Sequence, residues 1–162
     1  MKIDYIPYLR EMIGHKKCIS IGLSAMVFNK EKKVLLEKRK DNGKYCFPGG
    51  SIDLNETVIE GLEREIKEET GIEIQDIKLF AIRSGEKCDF YYPNGDVTQY
   101  LDLIFLAKEK EDSIIIPQES ETDGVFYISI EDLKKIKKED MLNSTYFTIQ
   151  KYLNNNFEIT ID

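Results

Sequence analysis

Three glutamates, Glu65, Glu68 and Glu69, stand at spacings of three and one in the run GLEREIKEETG, residues 61 to 71. At 100° per residue they share one side of a helix. They crowd toward the end where the helix dipole is already negative, and each exposed acid there costs roughly a few tenths of a kcal/mol. Carboxylates gathered in this way are hard oxygen donors. They suit Mg²⁺ or Mn²⁺, which bind through a few carboxylates together with water and phosphate oxygens. A solvated acidic stripe is the alternative reading. Against it stand the clustering, the unfavourable helix end and the Pro48-Gly49-Gly50 loop that feeds into the acids.

The helix that positions them has readable ends. Thr57 followed by Glu60 fits a capping box, and Gly71 fits a left-handed stop, so the helix should run from 58 to 70. Val58, Ile59, Leu62 and Ile66 fall together and are expected to face the core, with Glu60, Glu63 and Lys67 toward solvent. A glycine inside a helix costs about 1 kcal/mol relative to alanine. Gly61 lies on the acidic face, one turn before Glu65, so something should approach the backbone there.

Around this helix the pattern is mostly strand. Residues 4 to 14 predict a short amphipathic lead helix, and residues 18 to 28 and 33 to 38 a hairpin across Asn29-Lys30-Glu31-Lys32. Residues 40 to 50 predict a loop. Further strands are expected at 72 to 84, 99 to 109 and 124 to 130, with an Asn94-Gly95 turn between the first two. Helices at 131 to 138 and 143 to 153 close the chain. The expectation is one mixed α/β domain over residues 1 to 162.

The formal net charge of −7, with 23 basic against 30 acidic residues, argues against a surface that coats nucleic acid or an anionic membrane. A metal ion can still invert the sign of a local site, so an anionic small substrate remains open. Cys18, Cys46 and Cys88 form no CxxC or Cys/His cluster and read as reduced thiols in a cytoplasmic protein. The N-terminal residues lack the apolar core of a signal peptide, and no apolar run approaches membrane-spanning length. His15 reads as a surface residue.

Gly50, five residues, Glu56, seven residues, and then Arg64-Glu65-Ile66-Lys67-Glu68-Glu69-Thr70-Gly71-Ile72 resembles the Nudix box at every fixed position. The preceding Leu35-Leu36-Glu37-Lys38-Arg39 and Phe47-Pro48-Gly49-Gly50 are similar to the segments that usually lead into it. The resemblance implies an α/β/α sandwich with a central mixed sheet and Mg²⁺-dependent hydrolysis, Mn²⁺ substituting, of a nucleoside diphosphate linked to another group. By the same resemblance Glu65, Glu68, Glu69 and the Gly50 carbonyl would hold the metal, and Arg64 would orient the acids. Glu56 would pair with a basic group, with Gly49, Gly61 and Gly71 supporting the geometry. The general base would be Glu65, or Glu119 or Glu121 from a later loop. Arg39, Lys44, Arg83 and Tyr92 are candidate substrate contacts. ADP-ribose or nucleotide-sugar compounds are favoured over oxidised nucleoside triphosphates. A non-catalytic sensor of a nucleotide metabolite is the second reading. Relatives are commonly homodimers, which the resemblance extends to this chain.

Overall fold

The computed structural model describes residues 5–111 and 113–162. Strand β1 (Cys18–Phe28) lies at the middle of a nine-stranded mixed sheet. Its alternation explains the layering. Leu23, Ala25 and Val27 point to one face and Met26 to the other, and all four are 0–2% exposed. A strand buried on both faces needs a cover on each. On the first face lies α2 (Val58–Thr70), through Leu62 and Ile66. Each of these two side chains is fully buried and contributes roughly 2–3 kcal/mol of apolar transfer. On the second face lie α3 (Ile130–Leu133) and α4 (Asn143–Leu153), through Leu133 and Ile149. The helix α1 (Tyr5–Ile13) buries no residue fully. It is tied down by the Tyr5 amide, which donates to Asp53 at 3.0 Å, and by Arg10, which donates to the Val97 carbonyl and the Thr98 hydroxyl.

The hairpin partner β2 (Val34–Arg39) pairs with β8 (Thr122–Ile128) and β3 (Tyr45–Cys46), while β4 (Gly49–Ser51) pairs with residues 22–24 of β1. The longest ladder is parallel, β1 against β7 (Val97–Glu109) from Cys18↔Thr98 to Phe28↔Lys108. Antiparallel β5 (Ile74–Arg83) and β6 (Asp89–Tyr91) flank β7, and β9 (Thr160–Ile161) closes the far edge beside β5.

Several sequence expectations shift. Strand β3 lies inside the expected 40–50 loop and β4 begins in it and ends at Ser51, while β6 lies just before the Asn94-Gly95 turn. The first C-terminal helix stops at Leu133 instead of 138, because Lys134-Lys135-Ile136-Lys137-Lys138 offers one apolar residue among like charges. Only a 3₁₀ turn, Lys138–Asp140, follows it. The lead helix ends at Ile13, one residue before its expected stop, with Gly14 left-handed at φ +62°, and residue 4 lies outside the described residues. Ile59 is 42% exposed and not in the core.

Candidate active site

The local order of α2 follows from its caps. The Thr57 hydroxyl accepts from the Glu60 amide at 3.3 Å, and the Glu60 carboxylate accepts from the Thr57 amide at 2.8 Å. At the other end Gly71 is left-handed, with φ +77°. The negative helix end is answered partly by backbone. Ile116 N–H donates to the Thr70 carbonyl at 2.8 Å, and Gln118 N–H donates to the Glu69 carbonyl at 3.0 Å. Gly61 is pressed by the protein itself. A Cβ there would sit 2.9 Å from the Leu23 side chain and 3.1 Å from Glu56.

Arg64 organises the acids. Its Nε and Nη2 donate to the two Glu56 oxygens at 2.6 and 2.9 Å, and Nη2 also donates to the Ser51 carbonyl at 3.0 Å. Its Nη1 lies 2.8 Å from Glu65 and 3.2 Å from Glu68. Burial presses the Glu65 carboxyl upward from its ordinary pKa, and Arg64 opposes that shift. Glu69 is buried, at 7% exposure, and accepts from Gly49 N–H at 2.7 Å. Desolvation holds its carboxyl well above the usual range, with the nearby charges of Glu37, Glu65 and Glu121 adding to the shift.

The loop before the helix is built for close approach. Gly49 takes φ +151°, and a Cβ there would lie 2.0 Å from the Leu23 carbonyl oxygen. A Cβ on Gly50 would lie 2.5 Å from the Glu65 carboxylate. The loop backbone therefore touches the acids directly.

These groups line one cleft of about 810 Å³, together with Arg39, Lys44, Arg83, Tyr92, Gln118 and Glu121. Seven carboxylates (Asp53, Glu65, Glu68, Glu69, Asp89, Asp102, Glu121) face five cations (Arg39, Lys44, Arg64, Arg83, Lys87) across it. That excess repels a diphosphate unless a metal ion is added. Among the described residues no three acidic, histidine or cysteine side chains close on a single point as a metal cage. Glu65 and Glu68 are instead turned onto Arg64, and Glu69 onto Gly49. The donor set nevertheless fits a hard divalent ion: oxygen ligands, one of them buried, carrying mutual repulsion that a cation relieves.

Of the expected site residues, Glu119 does not line the cleft. Its carbonyl accepts from Lys40, whereas Glu121, two residues on, does line the cleft. Arg39 is held in a fork by Asp41 at 2.7 and 2.8 Å and stacks over Phe90 at 5.0 Å. Arg83 is buried at 6% exposure, with its guanidinium 4.4 Å above the Phe147 ring. Tyr92 shares a 2.5 Å hydrogen bond with Tyr100. His15 is exposed and bonded to Asp96 at 2.7 Å. All three cysteines are free thiols.

Asp53 and Asp89, which line the cleft, lay outside the sequence reading, and so did two strand carboxylates. Glu37, 4% exposed, accepts from the buried Cys46 thiol at 3.0 Å, and burial raises its pKa. Asp102 on β7 lines the cleft. Asp102 interrupts the run YLDLIFLA of β7, and that interruption was the available signal, whereas Glu37 opens the charged end of β2 and gave none.

The model of the NUDIX domain family matches residues 20–147, and the chain belongs to that family. An 8-oxo-dGDP phosphatase of Danio rerio is 28% identical over 128 residues, 77% of this chain and 36% of the relative. An ADP-ribose pyrophosphatase of Methanocaldococcus jannaschii is 37% identical over 83 residues, 49% of this chain and 46% of the relative. The chain thus spans less than half the length of these two curated relatives. A solved MutT NUDIX hydrolase of Burkholderia pseudomallei superposes with a TM-score of 0.64 at 20% identity, covering 82% of this chain and 97% of that one. This likeness is one of fold: a central mixed sheet between helices. Among the described residues no helix is long and apolar enough to cross a membrane.

Proposed function

We propose that the chain is a divalent-metal-dependent hydrolase that cleaves the diphosphate of a nucleoside diphosphate linked to another group. The observation that carries this reading is the convergence of Glu65, Glu68 and Glu69 on one cleft, with Glu69 buried and Arg64 forked onto Glu56. Members of this family generally use divalent metal ions. Mg²⁺, with Mn²⁺ as substitute, is the ion proposed for Glu65, Glu68, Glu69 and the Gly50 carbonyl. When bound it would neutralise the diphosphate oxygens and position the attacking water.

The chain's own residues do the rest. Arg64 holds the Glu65 and Glu68 carboxylates in place by charge-assisted hydrogen bonds, and Gly49 N–H holds one oxygen of Glu69. A carboxylate must accept the proton of the attacking water. Two acids lining the cleft can serve, Glu65 from the helix and Glu121 from the loop. Lys44 and Arg39 line the same cleft and are the proposed contacts for the substrate's phosphates and outer group.

The M. jannaschii relative, an ADP-ribose pyrophosphatase, supports the ADP-ribose or nucleotide-sugar type, whereas the D. rerio relative, an 8-oxo-dGDP phosphatase, supports an oxidised nucleotide, and the substrate panel decides between them. Retention of every box acid favours catalysis over a sensor role. The test is phosphate release, through a coupled phosphatase, from ADP-ribose, nucleotide sugars, dinucleoside polyphosphates and 8-oxo-dGTP in Mg²⁺, with Glu69→Gln alongside. Turnover lost in that variant is the expected result. A folded protein that binds these compounds and cleaves none of them would establish the sensor instead.

A further inference from the structure

We propose that Asp102 is a specificity-determining residue whose carboxylate receives two adjacent hydrogen-bond donors from the nucleoside part of the ligand. The donors would be either vicinal ribose hydroxyls or the N1–H and 2-amino edge of guanine. The proposal rests on the nucleotide-ligand part of the reading above.

Strand register sets the distance. Ser51, Gly22 and Asp102 stand in one row across β4, β1 and β7. Two interstrand spacings put the outer strands ~10 Å apart. The Ser51 and Asp102 backbones thus lie on opposite sides of β1, and the Asp102 carboxylate, which leans toward Gly22, is within the span of one nucleotide from the loop that touches Glu65.

Packing holds Asp102 in the cleft. Its Oδ1 lies 2.6 Å from where a Cβ on Gly22 would be, and the Tyr100 ring lies 2.9 Å from the same point. The absence of a side chain on Gly22 is what lets Asp102 lean across β1. Any other residue there would push the carboxylate and the ring aside.

The protein gives this carboxylate poor partners. Its neighbours are the Cys88 thiol, a weak donor, and the field of Arg83. The Arg83 guanidinium is committed to the Phe147 ring, and its Nε lies 3.8 Å from Asp162. Among the described residues no ion pair closes on Asp102. Desolvation accordingly lifts its pKa to about 6, against the pull of Arg83. Arg83 Nε and Asp89 Oδ1, on residues lining the same cleft, are buried polar atoms without hydrogen-bond partners. Native interiors rarely leave such groups unanswered. A ligand that brings donors to this end of the cleft would answer the carboxylate. An ionised carboxylate only accepts, at two oxygens, so its natural complement is a pair of adjacent donors. The Tyr100 ring stands near it over Gly22, and Tyr92, bonded to Tyr100, and Phe90 line the same cleft.

The test is isothermal titration in Mg²⁺ with GMP, IMP, AMP and 2′,3′-dideoxy-AMP, for the wild type, Asp102→Asn and Asp102→Ser, each checked for an intact melting transition. The guanine arm predicts that GMP binds about tenfold tighter than IMP. The ribose arm predicts the same margin for AMP over its dideoxy form, tenfold being about 1.4 kcal/mol. Whichever contrast appears should collapse to about twofold or less in both variants. Neither contrast in the wild type, no nucleotide binding at all, or a contrast unchanged in both variants overturns the proposal. Failure of the hydrolase reading would look different, as absent Mg²⁺-dependent turnover with the binding contrasts intact.

Discussion

Arg64 and Glu56 meet in a two-pronged hydrogen bond, Nε to Oε1 at 2.6 Å and Nη2 to Oε2 at 2.9 Å, from either side of the first turn of α2. The same guanidinium reaches Glu65, Glu68 and the Ser51 carbonyl. Lysine keeps the charge and loses the planar fork. Arg64→Lys is therefore expected to lower kcat by about tenfold or more and to cost about 1–2 kcal/mol of stability, as lost charge-assisted hydrogen bonds do. Steady-state rates and urea unfolding check both numbers. A variant with wild-type kcat would show that the fork is dispensable.

Glu69 makes the opposite prediction for stability. A carboxyl whose folded pKa lies above 4.5 opposes folding once it ionises. That cost is absent in acid, grows as pH rises from 4.5 toward the raised folded pKa, and is constant above it. Glu69→Gln should thus match the wild type near pH 4 and melt a few degrees higher at pH 7.5 without metal, on the order of 1 kcal/mol. Added Mg²⁺ should raise the melting temperature of the wild type and leave the variant nearly unmoved. A large metal-free loss of stability in the variant would make Glu69 a structural residue.

Asp102→Asn should also stabilise the free protein. The folded carboxyl titrates near 6, against an ordinary value of 3.8. Ionisation in the fold is therefore penalised, with a ceiling of roughly 3 kcal/mol at 1.36 kcal/mol per unit. Water reaching the cleft reduces this to about 1–2 kcal/mol. The gap between variant and wild type should open between about pH 4 and pH 6 and stay flat above pH 7. Urea unfolding at pH 4, 6 and 8 measures it, and a gap that is constant with pH would refute the assignment.

The loop acids separate cleanly. Glu121→Gln is expected to slow turnover by about a hundredfold or more, within the range for loss of a general base, while Glu119→Gln stays within about twofold of the wild type. Equal losses in both would point to loop order instead of proton transfer.

The box helix was readable because its start, stop and apolar stripe are all local: Thr57, Glu60, Gly71, Leu62 and Ile66 announce themselves within fifteen positions. Ile59 misled because a helical wheel shows an angle and not the reach of the sheet beneath it. Strands β3 and β4 are two and three residues long. They hold no period, and pairing with distant β2 and β1 is what makes them strands. The β2–β3 pairing brings Glu37 beside Cys46, nine residues on, and the long-range pairing of β1 with β7 brings Asp102 over Gly22, a relationship that no window of neighbouring residues contains. Glu119 and Glu121 were equivalent in sequence, and the turn closed by Glu121 N–H on the Gln118 carbonyl at 3.0 Å separates them.

Ile116 and Gln118 fasten their backbone amides to Thr70 and Glu69. Exposed connections usually tolerate changes of length, but this one is riveted to the last turn of α2 and carries Glu121 three residues further on. Loop and helix end move as a single lever, so an insertion between Gln118 and Glu121 would be felt at the acids as lost alignment, with little change in the core.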